Sequence, residues 1–141
     1  MEDAAEQAPH PRAAAIASLT PLEHLDQDPF LVDTRSQQDM CARWADAHDH
    51  VITRELLLHG LAPDHPELWA DFDAGRVDLF LTPSRRVLDQ AVTCAEEFTA
   101  LCARRGARVV TADLAEPQYG PRSKARVHRR LSMPTAGYDG C

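Results

Sequence analysis

The sequence contains no long apolar run and no glycine-rich turn after its first predicted strand, and each absence excludes a class of protein. No stretch approaches the roughly 20 apolar residues that a membrane-spanning helix needs. Met1–Arg12 is acidic and lacks the apolar centre of a signal peptide, so we expect a cytoplasmic protein without a membrane partner. The segment AIASLTPLEH has no glycine to bind the phosphates of a dinucleotide, and we expect no cofactor.

The sequence also lacks any CxxC pair or other spacing typical of metal ligands, so we expect reduced thiols and no bound metal. Cys94 and Cys102 lie on one predicted helix, about 12 Å apart along its axis, which is too far for a disulfide. FLVDTR looks like the opening of a rhodanese domain, but Cys41 then falls inside a predicted helix, which favours a core thiol over a nucleophile. The histidines His48, His50, His59 and His65 lack the i, i+4 spacing of a helical zinc site.

Positive charge is scarce in most of the chain and concentrated at its end. Residues 1–116 hold 10 of the 15 Lys and Arg and 21 of the 22 Asp and Glu, whereas residues 117–141 hold five basic residues and one acidic residue. An acidic body argues against nucleic-acid binding by its overall field, although a local patch could still bind. We expect residues 117–141 to be a basic, disordered tail and residues 1–12 a disordered acidic lead.

Val77–Leu114 reads as a complete strand, helix and strand. VDLFLT and ARVVTADL are apolar runs, and the residues between them carry apolar side chains at helical spacing, as is typical of parallel strands joined by a crossover. Upstream, Ala13–Leu19 and His50–Leu57 are predicted strands, each followed by a predicted helix. We therefore predict one α/β domain over residues 13–116, with three layers and a mostly parallel sheet of about four strands in β-α-β-α-β-α-β order.

Candidate site residues follow from this fold, because open parallel sheets bind ligands outside the carboxyl ends of their strands. Arg85 and Arg86 follow the third strand and suit bidentate phosphate contact, although a structural ion pair fits them equally well. Ser18 and Thr20, near the end of the first strand, are candidate nucleophiles only if a base or cation lies nearby, and capping is the default role. In the basic tail, Arg122 is a candidate for contact with phosphate or DNA. Lys124 is a second such candidate.

Taken together, these segments resemble the catalytic domain of serine recombinases, the resolvase/invertase family. AAAIASLTPLEH resembles the family's first strand, A-A-I-Y-A-R-V-S-T-x-E-Q, and places Ser18 at the arginine and Thr20 at the nucleophilic serine. QQDMCARWA matches the next helix pattern, Q-x-x-x-C-x-x-[YW]-A, beginning at Gln37. LHGLAPDHP keeps a glycine and a proline of the segment D-x-G-x-S-G...R-P, but Leu58 stands at the acid and His65 at the arginine.

The third block, GRVDLFLTPSRRVLDQ, is similar to G-x-[IV]-D-x-[VL]-x-[VL] followed by L-D-R-L-x-R. One family arginine corresponds to Arg85 or Arg86, depending on a one-residue shift, and the second has no counterpart. RGARVVTAD then resembles the next strand, so that the resemblance covers about Ala13 to Glu116. The long helix that pairs subunits and the DNA-binding domain, which follow in the family, have no counterpart in residues 117–141.

The resemblance implies an enzyme whose serine attacks a DNA phosphodiester while arginines stabilise the pentacoordinate phosphate. With threonine at the nucleophile position and other catalytic positions replaced, we expect lost or impaired strand exchange, in a remnant of a mobile element. Its implied partners are weakly bound DNA and either a second copy or a related recombinase subunit. Two alternatives stay open, namely a non-enzymatic protein-interaction module and an enzyme for nucleotide or phosphate ligands that uses Thr82 and Asp113.

Overall fold

The computed structural model describes residues 10–132, which form a four-stranded, all-parallel sheet with the strand order β2-β1-β3-β4. The strands are β1 (Arg12–Ser18), β2 (Val51–Leu58), β3 (Leu79–Thr82) and β4 (Arg108–Thr111). The central position of β1 follows from its sequence, since RAAAIAS has small or apolar side chains on both faces and can be covered on both. The predicted α/β class and parallel sheet are confirmed.

Six helices accompany the sheet in the described part of the chain. They are α1 (Pro29–Val32), α2 (Thr34–Ala47), α3 (Pro66–Asp73), α4 (Arg85–Ala91), α5 (Ala95–Arg105) and α6 (Pro121–Ser132). A short 3-10 turn, Leu22–His24, precedes α1. Helix α2 packs on one face of the sheet, whereas α3, α4 and α5 pack on the other, which gives the three layers that the sequence predicts.

Alternate side chains of β1 separate the two halves of the core. Ala13 and Ala15 face α2, whereas Ala14 and Ile16 face α3 to α5. The larger half contains an aromatic cluster in which the rings of Trp69 and Phe80 lie 5.3 Å apart, with Phe98 also in contact. The ring of Phe72 contacts Trp69 edge-on, and the guanidinium of Arg105 lies over the ring of Trp69. Leu68 packs in the same cluster. The alanines of β1 are small, so helices pack closely on both of its faces. This packing fixes the end of β1 at the centre of the sheet's carboxyl edge.

The helix predicted between β3 and β4 is two helices in the structure. The apolar spacing is continuous across it, but Val92 has extended backbone angles and its segment forms a parallel bridge to Leu61. Thr93 donates its backbone N–H to the carbonyl of Leu61, so the chain between α4 and α5 is held by a neighbouring loop. Cys94 therefore occupies the N-cap of α5 and does not lie on one helix with Cys102.

The N-cap of α3 is His65, whose Nδ1 accepts a hydrogen bond from the backbone N–H of Glu67. Pro66 takes the first helical position, where its missing N–H costs nothing. The helix ends shortly before Gly75, whose φ of +76° suits glycine.

The prediction of a disordered tail is wrong for residues 121–132, which form α6. Val127 is buried against Leu25 and Val32, so α6 packs on the turn and on α1 beside the carboxyl edge of the sheet. One buried apolar residue gives too weak a periodic signal for a helix, and the tertiary contacts decide the structure here. Residues 133–141 and the larger part of the predicted acidic lead, residues 1–9, lie outside the described residues.

Candidate functional site

Ser18, the last residue of β1, is fully buried at the carboxyl edge. Its Oγ donates to the carbonyl of Leu31 at 2.9 Å and accepts from Nε2 of Gln37 at 3.1 Å. Its backbone N–H donates to Oε1 of Gln37 at 2.7 Å. A hydroxyl that is both buried and satisfied is held in place as part of the packing.

Gln37 of α2 is the centre of this polar cluster and is also fully buried. Besides its contacts with Ser18, its Nε2 donates to the carbonyls of Phe30 and Leu31 at 2.8 and 3.0 Å. The side chain therefore ties the end of β1 to α1 and α2. The sequence marked Gln37 only as a motif position, because its partners lie on separate elements.

Thr20, two residues beyond β1, is half-buried and lies beside this cluster. Its Oγ1 is 3.4 Å from Oγ of Ser18, which is its one side-chain hydrogen bond within residues 10–132. No base or guanidinium in the described residues hydrogen bonds to it. The structure thus brings the two candidate hydroxyls together but leaves the candidate arginines paired with other groups.

Arg86 lies at the start of α4, and two carboxylates hold its guanidinium. The Nη1 group donates to Asp28 at 2.6 Å and the Nη2 group to Glu116 at 2.8 Å. Partial burial works against the charged form, but the hydrogen bonds and charges of Glu116 and Asp28 outweigh it and raise the pKa of Arg86. This explains how an arginine is tolerated at a helix N-terminus, where the macrodipole favours acids.

Arg85, the neighbour of Arg86, points to a different partner. Its Nε donates to Asp89 at 3.0 Å in an exposed i, i+4 pair on α4. Ser84 caps the same helix by accepting from the backbone N–H of Val87. Neither arginine of the predicted phosphate pair is joined to Thr20 or Ser18 by a hydrogen bond in the described residues.

The two candidate tail residues both belong to α6. Lys124 lies near the turn before α1, where its Nζ is 3.3 Å from the carbonyl of Asp26 and 3.7 Å from that residue's carboxylate. Arg122 is exposed, and no side-chain hydrogen bond joins it to any of residues 10–132. The structure therefore engages Lys124 and leaves Arg122 open to solvent.

Thr82 and Asp113, the residues of the alternative ligand site, are engaged locally. Thr82 is buried at the end of β3, and its Oγ1 donates to the carbonyl of Ile16 at 3.1 Å. Asp113 is exposed with a φ of +50° and accepts from Oγ1 of Thr111 at 2.7 Å. The side chain of Thr82 thus links β3 to β1, and the side chain of Asp113 contacts the end of β4.

Asp33 is a buried charged residue that the sequence analysis did not single out. It caps α2 by accepting from the backbone N–H of Ser36, and it also accepts from Oγ of Ser36 at 2.7 Å. Its other hydrogen bonds come from the hydroxyl of Tyr119 at 2.8 Å and the guanidinium of Arg130 at 3.2 Å. Burial, reinforced by the hydrogen bond to Asp33, raises the pKa of Tyr119. Tyr119 and Arg130 lie 86 and 97 residues further along the chain, so no local sequence pattern predicts that they meet Asp33.

Residues 10–132 contain no group of three or more His, Cys, Asp or Glu side chains placed to hold a metal ion. In the same part of the chain, every helix is too short or too polar to cross a membrane. His48 and His50 lie around the ring of Trp44, where their Nδ1 atoms hydrogen bond to backbone carbonyls.

The sheet order, the three layers and the polar end of β1 define a resolvase-like α/β domain. A solved structure with this fold is the C-terminal catalytic domain of ISC1926 TnpA, an IS607-like serine recombinase. It superposes with a TM-score of 0.56 and 16% sequence identity over 85% of this chain and 80% of that chain. No protein-family model matches the sequence, and no curated protein matches it.

This likeness confirms that the fold is the one the sequence motifs predict. In ISC1926 TnpA, the catalytic domain that matches this chain is the C-terminal one.

Proposed function

We propose that the chain is a serine-recombinase-like domain in which DNA strand exchange is lost. The observation that carries this proposal is the pairing of Arg86 with Asp28 and Glu116. A phosphodiester needs unpaired positive charge at the site where the pentacoordinate phosphate forms. One guanidinium between two carboxylates leaves a net negative cluster, which repels phosphate.

The hydroxyl groups at the edge support the same proposal. Ser18 is fully buried and satisfied, so attack through its Oγ would require breaking the end of β1 away from Gln37. Thr20 is more accessible, but its methyl group crowds the approach to phosphorus and its one polar contact is the hydroxyl of Ser18. Because no base or cation among residues 10–132 hydrogen bonds to it, this threonine lacks the activation that a nucleophile requires.

A covalent-adduct assay tests the proposal. Wild-type protein and the Thr20→Ser variant are incubated with supercoiled plasmid and quenched with denaturant, and the DNA is examined for attached protein. We expect neither protein to give an adduct, because restoring the serine does not supply the missing cations. An adduct that forms in the wild type and is lost in Thr20→Ala would overturn the proposal. The positive control is an active serine recombinase incubated with a plasmid that carries its own recombination site.

A second candidate function, sequence-independent contact with DNA backbone, is favoured by the outer face of α6. Arg122, Arg126 and Arg129 fall at helical spacing on one side of α6, and all three are exposed. No ion pair joins any of the three to another of residues 10–132. Such a stripe binds phosphates with a strong dependence on salt.

Retention on DNA at low and high salt separates this function from a protein-interaction module. We expect wild-type retention to fall as salt rises and to be weaker in Arg122→Ala/Arg129→Ala. The matched control, Arg85→Ala/Arg86→Ala, also removes two positive charges but leaves retention unchanged, since those arginines are already paired. Absence of retention at low salt would instead favour the interaction module. If DNA retention falls more in Arg85→Ala/Arg86→Ala than in Arg122→Ala/Arg129→Ala, DNA contacts the carboxyl edge of the sheet and not α6.

A further inference from the structure

A small polar cavity lies between the first turn of α2 and the side of α6 that carries Arg126 and Arg130, and neither Ser18 nor Thr20 lines it. Its volume is about 220 Å³. Asp33 and Ser36 line it from the side of α2, Gln118 lines it from the segment before α6, and Arg126 and Arg130 line it from α6. Pockets for drug-sized ligands occupy about 300–1,000 Å³, so this cavity fits a small ion or the end of a larger molecule.

The hydrogen bonds around the cavity leave an excess of donors. Both carboxylate oxygens of Asp33 are occupied, Oδ1 by Ser36 N–H and Arg130 and Oδ2 by the hydroxyls of Ser36 and Tyr119. Arg130 uses one of its five N–H groups in that contact. Arg126 has no hydrogen-bond or ion-pair partner among residues 10–132. The free groups of these two guanidiniums are therefore available to an acceptor.

The charges point the same way. Arg126 and Arg130 are four residues apart on α6, a spacing at which like charges repel. Asp33 neutralises Arg130 but leaves the charge of Arg126 uncompensated within the described residues, so the cavity carries one net positive charge. A cation has no free carboxylate oxygen to bind here. An anion with several oxygens can accept from both guanidinium forks at once.

We propose that this cavity binds a phosphate group, either as free inorganic phosphate or as the terminal phosphate of a larger molecule. Arg126 is the principal contact, the free N–H groups of Arg130 are the second, and the side-chain amide of Gln118 is the third. The cavity is separate from the edge cluster of Ser18 and Thr20, so its occupancy does not depend on strand exchange.

Calorimetric titration of the full chain with inorganic phosphate tests the proposal, with total ionic strength held constant by sodium chloride. We expect saturable binding that weakens about tenfold or more in Arg126→Ala, as the loss of a charge-assisted hydrogen bond predicts. The control is Arg104→Ala, which removes an exposed arginine of α5 that does not line the cavity. We expect that control to change the affinity by less than about twofold. Acetate is titrated in parallel as a planar, singly charged comparison.

Three outcomes would overturn the proposal, namely no phosphate binding by the wild type, equal weakening in Arg104→Ala and Arg126→Ala, or acetate binding as tight as phosphate. Far-ultraviolet circular dichroism and the unfolding midpoint of Arg126→Ala check that a loss of binding is not a loss of folding. A second arm compares one short oligonucleotide with and without a 5′-phosphate. Tighter binding of the phosphorylated end, lost in Arg126→Ala, identifies a terminal phosphate as the ligand. Binding of inorganic phosphate with no such preference identifies the free ion.

Discussion

At the scale of single residues, hydroxyl and amide groups at the carboxyl edge are used to hold the chain together. Ser18 and Gln37 are both fully buried, and every hydrogen-bonding atom of their side chains is engaged. Reactive groups in enzymes are commonly held in arrangements that cost stability, so replacing them is often neutral or stabilising. A structural group behaves in the opposite way, which makes stability measurements informative about this edge.

The first prediction concerns Ser18. Replacement by alanine removes a buried donor and leaves the carbonyl of Leu31 with fewer partners, so we expect a loss of about 1–2 kcal/mol in the free energy of unfolding. Urea denaturation followed by circular dichroism measures it. Thr20→Ala is the control and should change stability by less than about 0.5 kcal/mol, because Thr20 is half-buried with one long contact. A Ser18→Ala protein with the same free energy of unfolding as the wild type would contradict the structural role of Ser18.

The second prediction uses the cysteines. Burial, with a smaller effect of Glu55, raises the pKa of Cys41 to about 12. Burial also raises the pKa of Cys102 to about 12, although Arg105 opposes the shift. With a pKa of about 12, only about one in ten thousand of the Cys41 and Cys102 thiols is ionised at pH 8. Cys94, by contrast, is exposed to solvent and to reagents.

We therefore expect an alkylating reagent at pH 8 to label Cys94 quickly, whereas Cys41 and Cys102 are labelled only after unfolding. Peptide mass spectrometry assigns each site, and protein denatured in urea gives the maximal extent of labelling as the control. In the denatured control both buried thiols should react readily at pH 8, because unfolding removes the burial that raises their pKa. Equal rates at Cys41 and Cys94 in the folded protein would show that the core described around α2 is wrong.

At the scale of helices and strands, sequence periodicity located most elements but not their interruptions. The apolar positions of α4 and α5 form one continuous helical pattern, and nothing local in it marks the break at Val92. That break depends on a bridge to Leu61, which lies 31 residues earlier in the chain. Helix α6 was missed for the related reason that its stability comes from packing on the turn near Leu25.

The third prediction tests the packing of α6. Val127→Asp places a charge in the contact with Leu25 and Val32, where it has no partner, and the contact should open because an unpaired buried charge is costly. We expect faster amide hydrogen exchange across residues 121–132, measured by mass spectrometry, with unchanged exchange in β1 and β3. Leu131→Asp is the matched control, because Leu131 is 41% exposed and tolerates a charge. Unchanged exchange in Val127→Asp would show that the helix does not depend on this contact.

At the scale of the whole molecule, the sequence was sufficient for the fold and insufficient for the site. The apolar runs VDLFL and ARVV predict a parallel sheet covered by helices, and in the structure all of β3 is buried, whereas β4 is partly exposed at the edge. Arg85 and Arg86 were placed correctly at its edge, but a sequence does not show that Asp28 and Glu116 reach Arg86 from other loops. The partners of a side chain, which decide its chemistry, are set by the folded chain.

In the whole molecule, Gln37 connects more elements than either candidate nucleophile, Ser18 or Thr20. Its side chain joins β1 through Ser18 to the backbone of α1, while α2 carries it and packs on the sheet. Three elements therefore depend on one buried amide. We propose that the carboxyl edge is a structural junction of a recombinase-like fold, and that strand exchange is lost because the groups that would perform it serve that junction.

The free energy of unfolding of Gln37→Leu tests this central claim most directly. Leucine is close in size but offers no hydrogen bond, so the N–H of Ser18 and the carbonyls of Phe30 and Leu31 lose a buried partner. Since each unsatisfied buried group costs about 1–3 kcal/mol, we predict a loss of about 3 kcal/mol or more in urea denaturation. A Gln37→Leu protein as stable as the wild type, or more stable, would contradict the account and indicate that the edge is arranged for chemistry.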